Sequence, residues 1–241
     1  MSNITQMQSV RLRLLQEMKD GVYRSSNMLP REDVLAERLD ISRTQLRDSL
    51  AQLEREGFIS RRQGVGTMIN RHVISVKVRM DMEIEFMDMI AQSGCTPSLL
   101  LSKHETAPAA PNVAARLAIP EGDAVLRAVR LIGANGTPAI YCVDYIPLSL
   151  VKRKDYAEQT LDEPIFSFLK DYCDLEPYMD ITEVQPAVAN AELANIFHVK
   201  EGAPLLYLDE LDYDKEGMPI LYSPQYYIGG VIKHTLLRMK F

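Results

Sequence analysis

The 241-residue chain is long enough for one large domain or two modest ones, and its 46% apolar and 25% charged content is ordinary for a soluble globular protein. No apolar run approaches the roughly 18 residues a membrane span needs, and the N-terminus lacks a secretory signal's apolar stretch and cleavage site, so a cytoplasmic location is expected. The net charge of −6 argues against a nucleic-acid partner only as an average, because residues 1–75 carry 12 Lys/Arg against 9 Asp/Glu, 11 of those cations being arginine.

Val10, Leu14 and Met18, with Leu15 alongside, give an amphipathic first helix from about residue 4 to 19, ended by Gly21. A turn-rich stretch to Pro30 precedes a short helix expected to carry Val34, Leu35 and Leu39 inward, and Asp40-Ile41 makes a tight turn. Ser42-Arg43-Thr44-Gln45 is a capping box, in which the serine hydroxyl accepts from the Gln45 amide and the glutamine side chain reaches back. The helix it opens buries Leu46, Leu50 and Leu53, leaving Arg43, Thr44 and Arg47 on its opposite face. A short helix, a tight turn and a helix with an arginine-bearing N-terminal face is the geometry that enters a DNA major groove. Phe58 to Arg62 and Thr67 to Ile69 read as strands joined by Gln63-Gly64-Val65-Gly66, a basic hairpin whose glycines allow close approach to a phosphate or the minor groove.

Arg71 to Arg79 alternates apolar and polar residues and is read as a linker strand, while Ile84, Met87, Ile90 and Ala91 follow helical spacing up to Gly94. Beyond it lies an internal repeat: Asn112 to Tyr145 and Glu192 to Tyr226 share one plan. Glu121-Gly122 matches Glu201-Gly202, Gly136-x-Pro138 matches Gly217-x-Pro219, and Tyr141 and Tyr145 match Tyr222 and Tyr226. Each copy reads as a short helix, a strand, a glycine-containing hairpin turn and a second strand. Two copies side by side predict a mostly antiparallel sheet with helices on one face, an α+β arrangement.

The chemistry of an enzyme is thin. Cys95, Cys142 and Cys173 are too few and too dispersed for a disulfide framework or a CxxC site and are read as free thiols. None of the four histidines (His72, His104, His198, His234) has the spacing of a helical metal pair, and neither a GxSxG elbow nor a phosphate- or dinucleotide-binding glycine loop is present. The acidic run Asp209, Glu210, Asp212 and Asp214 is read as a solvated turn.

The first 70 residues, through Leu29-Pro30-x-Glu32, Leu39-x-Ile41-Ser42-Arg43-Thr44-x-Leu46-Arg47, Glu56-Gly57-x-Ile59 and Arg61-Arg62-Gln63-Gly64-x-Gly66-Thr67, resemble the GntR family of bacterial regulators. The resemblance implies a winged helix-turn-helix touching DNA through Ser42, Arg43, Thr44 and Arg47 on the recognition helix and through Gln63 and Gly64 in the wing. Arg61 and Arg62 join these as basic wing residues. The family usually has serine at the position of Arg31 and a DNA-touching arginine at that of Asp33, so Arg31 is a candidate substitute contact.

The later motifs Val125-Leu126-x-x-x-Arg130-Leu131, Tyr145-Ile146-Pro147, Ala203-Pro204-Leu205-Leu206 and Gly217-x-Pro219-Ile220-x-Tyr222-Ser223 resemble the UTRA ligand-sensing domain of the HutC subfamily, which has a chorismate-lyase-like fold. This implies a winged helix-turn-helix in residues 1–70, a linker at 71–80, and an effector-binding and dimerisation domain in 81–241. It also implies a homodimer on a palindromic double-stranded operator, a small-molecule effector, neither a cofactor nor a metal, and an effector that relieves repression. Where many members have a second arginine, a sugar-contacting glutamate, a phosphate-binding serine and another glutamate, this chain has Ile132, Cys142, Pro164 and Leu221, which disfavours sugar phosphates. Arg130 and Tyr227 stay at matching positions, and with Asp144 and Tyr222 they form the expected effector site. In this reading Arg130 meets an anionic group of the ligand unless Asp144 already neutralises it. A chorismate-lyase-like enzyme activity is the alternative that the fold resemblance leaves open.

Overall fold

The computed structural model describes residues 3–156 and 161–239. They form two compact units: one runs through Glu83 and takes up the chain again from His234, and the other is Ile84–Lys233. This division differs from the sequence reading, which placed a linker at 71–80 and everything from 81 onward in the second domain.

In the first unit, α1 (Asn3–Lys19), α2 (Glu32–Leu39) and α3 (Arg43–Arg55) enclose a core of Leu14, Met18, Leu35, Leu46, Leu50 and Leu53. Val34, expected inside, is 52% exposed, and the small Ala36 takes the inward position beside Leu35 and Leu39. Asp40 ends α2 in the left-handed conformation at φ +54°, which produces the tight turn into α3. The wing is an antiparallel pair, β1 (Ile59–Arg62) and β2 (Gly66–Ile69), with Gly64 at φ +77° in its tip. Residues 27–29 flank β2, where the Leu29 amide donates to the Thr67 carbonyl and the Ile69 amide to the Asn27 carbonyl.

Residues 71–79 are not a linker strand. Arg71–Ile74 is a short helix, α4, whose Val73 enters the head core and whose Arg71 guanidinium donates to the carbonyls of Met18, Tyr23 and Ser26. Those carbonyls belong to the last turn of α1 and the turn after it, and they tie the segment to the head. Only Val78–Arg79 is extended, as β3, and it pairs in parallel with β10 (His234–Thr235).

The second unit is a six-stranded, wholly antiparallel sheet of β4 (Pro97–Pro108), β5 (Ala124–Ala134), β6 (Thr137–Pro147), β7 (Met179–Val188), β8 (Pro204–Tyr213) and β9 (Pro219–Ile228), ordered β4-β5-β6-β9-β8-β7. The repeat includes one more strand per copy than sequence matching revealed, since β4 precedes α6 (Pro111–Leu117) as β7 precedes α8 (Ala191–Phe197). At the central seam Tyr141 pairs with Tyr226 and Tyr145 with Tyr222. The repeat equates Tyr141 with Tyr222 and Tyr145 with Tyr226, so the seam exchanges equivalent residues about a pseudo-twofold axis between Val143 and Pro224.

Helix α6 packs on β9 and α8 on β6, each covering the other copy's strand on one face of the sheet. The expectation of a single covered face is too simple. Leu126, Ile146 and Leu221 on the opposite face are buried by Leu161, α7 (Ile165–Phe168) and the wider turn Leu169–Cys173.

Both repeat helices stop at a residue with positive φ, Ala118 at +52° and His198 at +54°. Neither is glycine, and a left-handed alanine carries a steric cost of about 1–2 kcal/mol that glycine avoids. Ala118 is exposed, so its methyl contributes little packing. Ala118→Gly should therefore stabilise the sheet domain by about 0.5–1 kcal/mol after allowing for the freer unfolded chain. Urea unfolding checks this, and a loss of stability would count against the strain.

Candidate DNA interface and ligand-sensing site

The N-terminal end of α3 is built as its sequence implies. The Ser42 hydroxyl accepts from the Gln45 amide at 3.2 Å, and the Ser42 amide donates to Gln45 Oε1 at 3.0 Å. With Leu46, Leu50 and Leu53 essentially inaccessible, Ser42, Arg43, Thr44 and Arg47 all face outward. A shallow groove gathers Arg43 and Arg47 with Arg31 and with Val65 to Thr67 of the wing, so three of the predicted cations share one concave surface. Gln63, Gly64 and Arg62 are exposed at and beside the wing tip, and a side chain at Gly64 would meet nothing within 4 Å. That openness suits the backbone approach expected there.

Three carboxylates restrain three of the predicted arginines, and of these only Asp33 is singled out by the sequence. Glu32 Oε2 accepts from Arg47 Nε at 2.8 Å and raises the guanidinium above its ordinary range. Glu54 accepts from both the Arg61 amide and Arg61 Nε at 2.7 Å, turning Arg61 toward α3. Burial pushes the Glu54 carboxyl up, but the two bonds from Arg61 outweigh it and leave it lowered. Asp33, standing where the family has a cation, lies 3.5 Å from Arg31 Nε. All three pairs are substantially exposed, so a phosphate can compete for the arginines at modest energetic cost.

In the sheet, strand alternation divides the four expected effector residues. Arg130, Asp144 and Tyr227 project from one face, whereas Tyr222 belongs to the other, where it stacks on Tyr145 at 5.9 Å under α6. Arg116 lies over the Tyr222 ring and pairs with Asp209. Their positions on neighbouring strands group these residues in the sequence, but the period of two separates them. The acidic run also needs correction: Asp209 is ion-paired, Asp212 is 1% exposed, and among these residues Asp214 has the expected turn role, accepting from the Glu216 and Met218 amides.

The buried face carries one connected polar network. Arg130, 5% exposed, donates through Nε (3.1 Å) and Nη2 (2.7 Å) to Asp144 Oδ2. Ser223 Oγ donates to Asp144 Oδ1 at 2.6 Å, Gln225 Nε2 to Ser223 Oγ at 3.3 Å, and the Tyr227 hydroxyl to Gln225 Oε1 at 2.5 Å. Ser223 and Gln225 were missed, although their alternation with Tyr227 along β9 was a usable signal. Phe86 of α5 (Phe86–Gln92) closes over the network, 5.4 Å from the Arg130 guanidinium and 6.4 Å from the Tyr227 ring. Burial would lower the Arg130 pKa, but the charge and hydrogen bonds of Asp144 more than offset it and hold it raised. Cys142 is itself inaccessible, and burial, reinforced by Asp144, pushes its thiol far up.

Comparison with known proteins resolves what this architecture belongs to. Residues 6–69 match the model of bacterial regulatory proteins of the gntR family, and residues 92–232 match the UTRA domain. The chain belongs to the UTRA-bearing GntR family. Its order of domains agrees with the HutC subfamily, and it is a transcription regulator with a DNA-binding head and an effector-binding domain. The HTH-type transcriptional repressor NagR of Bacillus subtilis (strain 168) is 25% identical over 217 residues, covering 88% of this chain and 86% of that protein. Among solved structures, YydK from Bacillus subtilis subsp. subtilis str. 168 aligns with a TM-score of 0.78 at 18% identity, over 99% of this chain and 100% of that one. PhnF from Mycobacterium smegmatis aligns at 0.56 with 20% identity over 95% and 99%. Both structures share the fold. The family and its relatives are regulators, so the enzyme alternative finds no support.

Glu85 offers a test of the UTRA network. Burial is the main cause that raises its carboxyl pKa, with Asp144 and Asp88 adding to it and Arg130 opposing. A carboxyl raised on folding stabilises below its unfolded pKa and loses that contribution as pH rises through the folded value. Glu85→Gln should therefore gain stability relative to wild type as pH increases from acid to neutral. Thermal melts across that range check the sign, and a constant difference would show that Glu85 is not desolvated.

Proposed function

We propose that this GntR-family regulator acts in the cytoplasm as a homodimer that places two α3 helices in successive major grooves of a palindromic operator, and that a small-molecule effector in the UTRA domain relieves repression. The observation that carries the DNA half is the outward, capped N-terminal face of α3, where Arg43 and Arg47 share a groove with the wing. Arg31, Ser42, Thr44, Arg61, Arg62, Gln63 and Gly64 supply the remaining phosphate or base contacts in this reading. A homodimer is favoured by β7, a sheet edge that exposes Ile181 and Val188 and is preceded by the exposed Tyr178, since an unpaired strand edge is a pairing surface. Effector binding would then act by differential affinity for two arrangements of the dimer.

The effector reading changes in one respect. Arg130 and Asp144 neutralise each other, and Ile132, Cys142 and Leu221 on the same face are buried and carry no ionised group. An anionic ligand would have to displace Asp144 and strand a buried carboxylate, which is unfavourable by several kcal/mol. A neutral metabolite held beside Arg130, Asp144 and Tyr227 is favoured, with Tyr222 outside the site. A thermal-shift screen should find its largest melting-temperature increases among uncharged compounds. A sugar phosphate at the top of the ranking would overturn this assignment.

For the head, Arg43→Ala or Arg47→Ala should weaken operator binding by about 1–3 kcal/mol where the side chain reads a base, and affinity should fall steeply with salt. Mobility-shift titration on a duplex selected from a random pool measures both. Wild-type affinity in both variants would remove α3 from the interface.

A further inference from the structure

The sequence motifs place the DNA-reading apparatus within the first 70 residues, but the far end of α3 is finished by two segments from elsewhere in the chain. Glu56 caps α3, and its carbonyl accepts from Arg79 Nη1 at 2.6 Å. The Arg79 guanidinium is 5.0 Å from the Phe58 ring at the start of the wing and pairs with Asp81. Asp81 Oδ1 in turn lies 3.5 Å from the Leu237 amide, and the Met80 amide donates to the Thr235 carbonyl at 2.8 Å. Leu237 packs against the head core, beside Gly57 at the junction of helix and wing. Gly57 has φ +78°, and a Cβ there would stand 2.6 Å from Leu237 Cδ2. The glycine therefore serves two needs: the left-handed turn and room for a side chain some 180 positions later in the sequence.

We infer that β3 with residues 79–81 and the segment 234–237 form a clamp on the helix-to-wing junction, and that Leu237 is a positioning residue for DNA recognition. The inference rests on the reading of α3 and the wing as the DNA-contacting elements. The clamp leaves Arg43, Thr44 and Arg47 untouched and fixes the angle between their helix and the wing. Specific binding needs both elements to engage one duplex in register, whereas loose electrostatic binding does not. Leu237 should thus support specific affinity far more than non-specific affinity.

The test uses the full chain with substitutions Leu237→Asp, Leu237→Ala and Leu237→Ile, and Leu236→Asp as a control at an exposed neighbouring side chain. Each variant is titrated against a wild-type-selected duplex and a random duplex, with melting curves and a backbone-cleavage footprint. Leu237→Asp is expected to lower specific affinity by about tenfold or more and to lose footprint protection on the wing's flank. Leu237→Ala should show a smaller loss of the same kind, while Leu237→Ile and Leu236→Asp stay within about twofold of wild type. Non-specific affinity should hold in every variant that melts cooperatively. If Leu237→Asp fails to fold, Leu237→Ala decides. The clamp is overturned if the folded Leu237 variants bind the selected duplex like wild type, or if they lose specific and non-specific affinity in equal proportion. Failure of the α3 reading is distinct, because then Arg43→Ala and Arg47→Ala bind normally as well.

Discussion

Burial of one leucine ridge determines what the head can do. Leu46, Leu50 and Leu53 lie on one side of α3 and leave water almost completely, which at ~1.5–3 kcal/mol per side chain outweighs any surface charge preference. Once that ridge is docked, the rotation of the helix about its axis is no longer adjustable. Arg43, Thr44 and Arg47 must then face outward, and the Ser42 cap fixes where the first turn begins. The exposed carboxylates beside Arg47 and Arg61 hold those side chains without burying them, so an approaching anion would have little desolvation to overcome.

The sheet domain depends on a different rule, the alternation of side chains along a strand. It sends Arg130, Asp144, Ser223, Gln225 and Tyr227 to one face and Tyr141, Tyr145, Tyr222 and Tyr226 to the other. The first set forms a chain of hydrogen bonds in which the charges cancel internally. The second packs under α6 and α8, and the pseudo-twofold seam gives each copy the helix of its counterpart as a cover. Duplication thus yields one interleaved domain.

Much of this was legible in the residues. The capping box, the leucine spacing, the wing glycines and the repeat of hairpins all express local rules, and all appear at the expected positions. The misses involve partners distant in sequence. Periodicity alone could not decide between Val34 and Ala36 as the inward residue of a two-turn helix. The alternation at 71–79 imitates a strand, but the carbonyls that hold Arg71 and the strand that pairs with β3 come from far away. Tyr222 groups with Arg130 only while the register of the adjacent strands is unknown, because register decides which face each side chain takes. Counting by twos from Asp144 across the seam would have excluded it. The buried Asp212 gives no sign of its burial in a run that otherwise resembles a solvated turn.

The parallel pairing of β3 with β10 has a consequence for synthesis. Parallel strands need a crossover between them, usually a helix, and here the crossover is the whole sheet domain. The helices of the head leave the ribosome early and can collapse around their leucines, but β3 must wait for a partner translated about 150 residues later. On a nascent chain the β3–β10 pair can therefore close only after the sheet domain between its two strands has been synthesised.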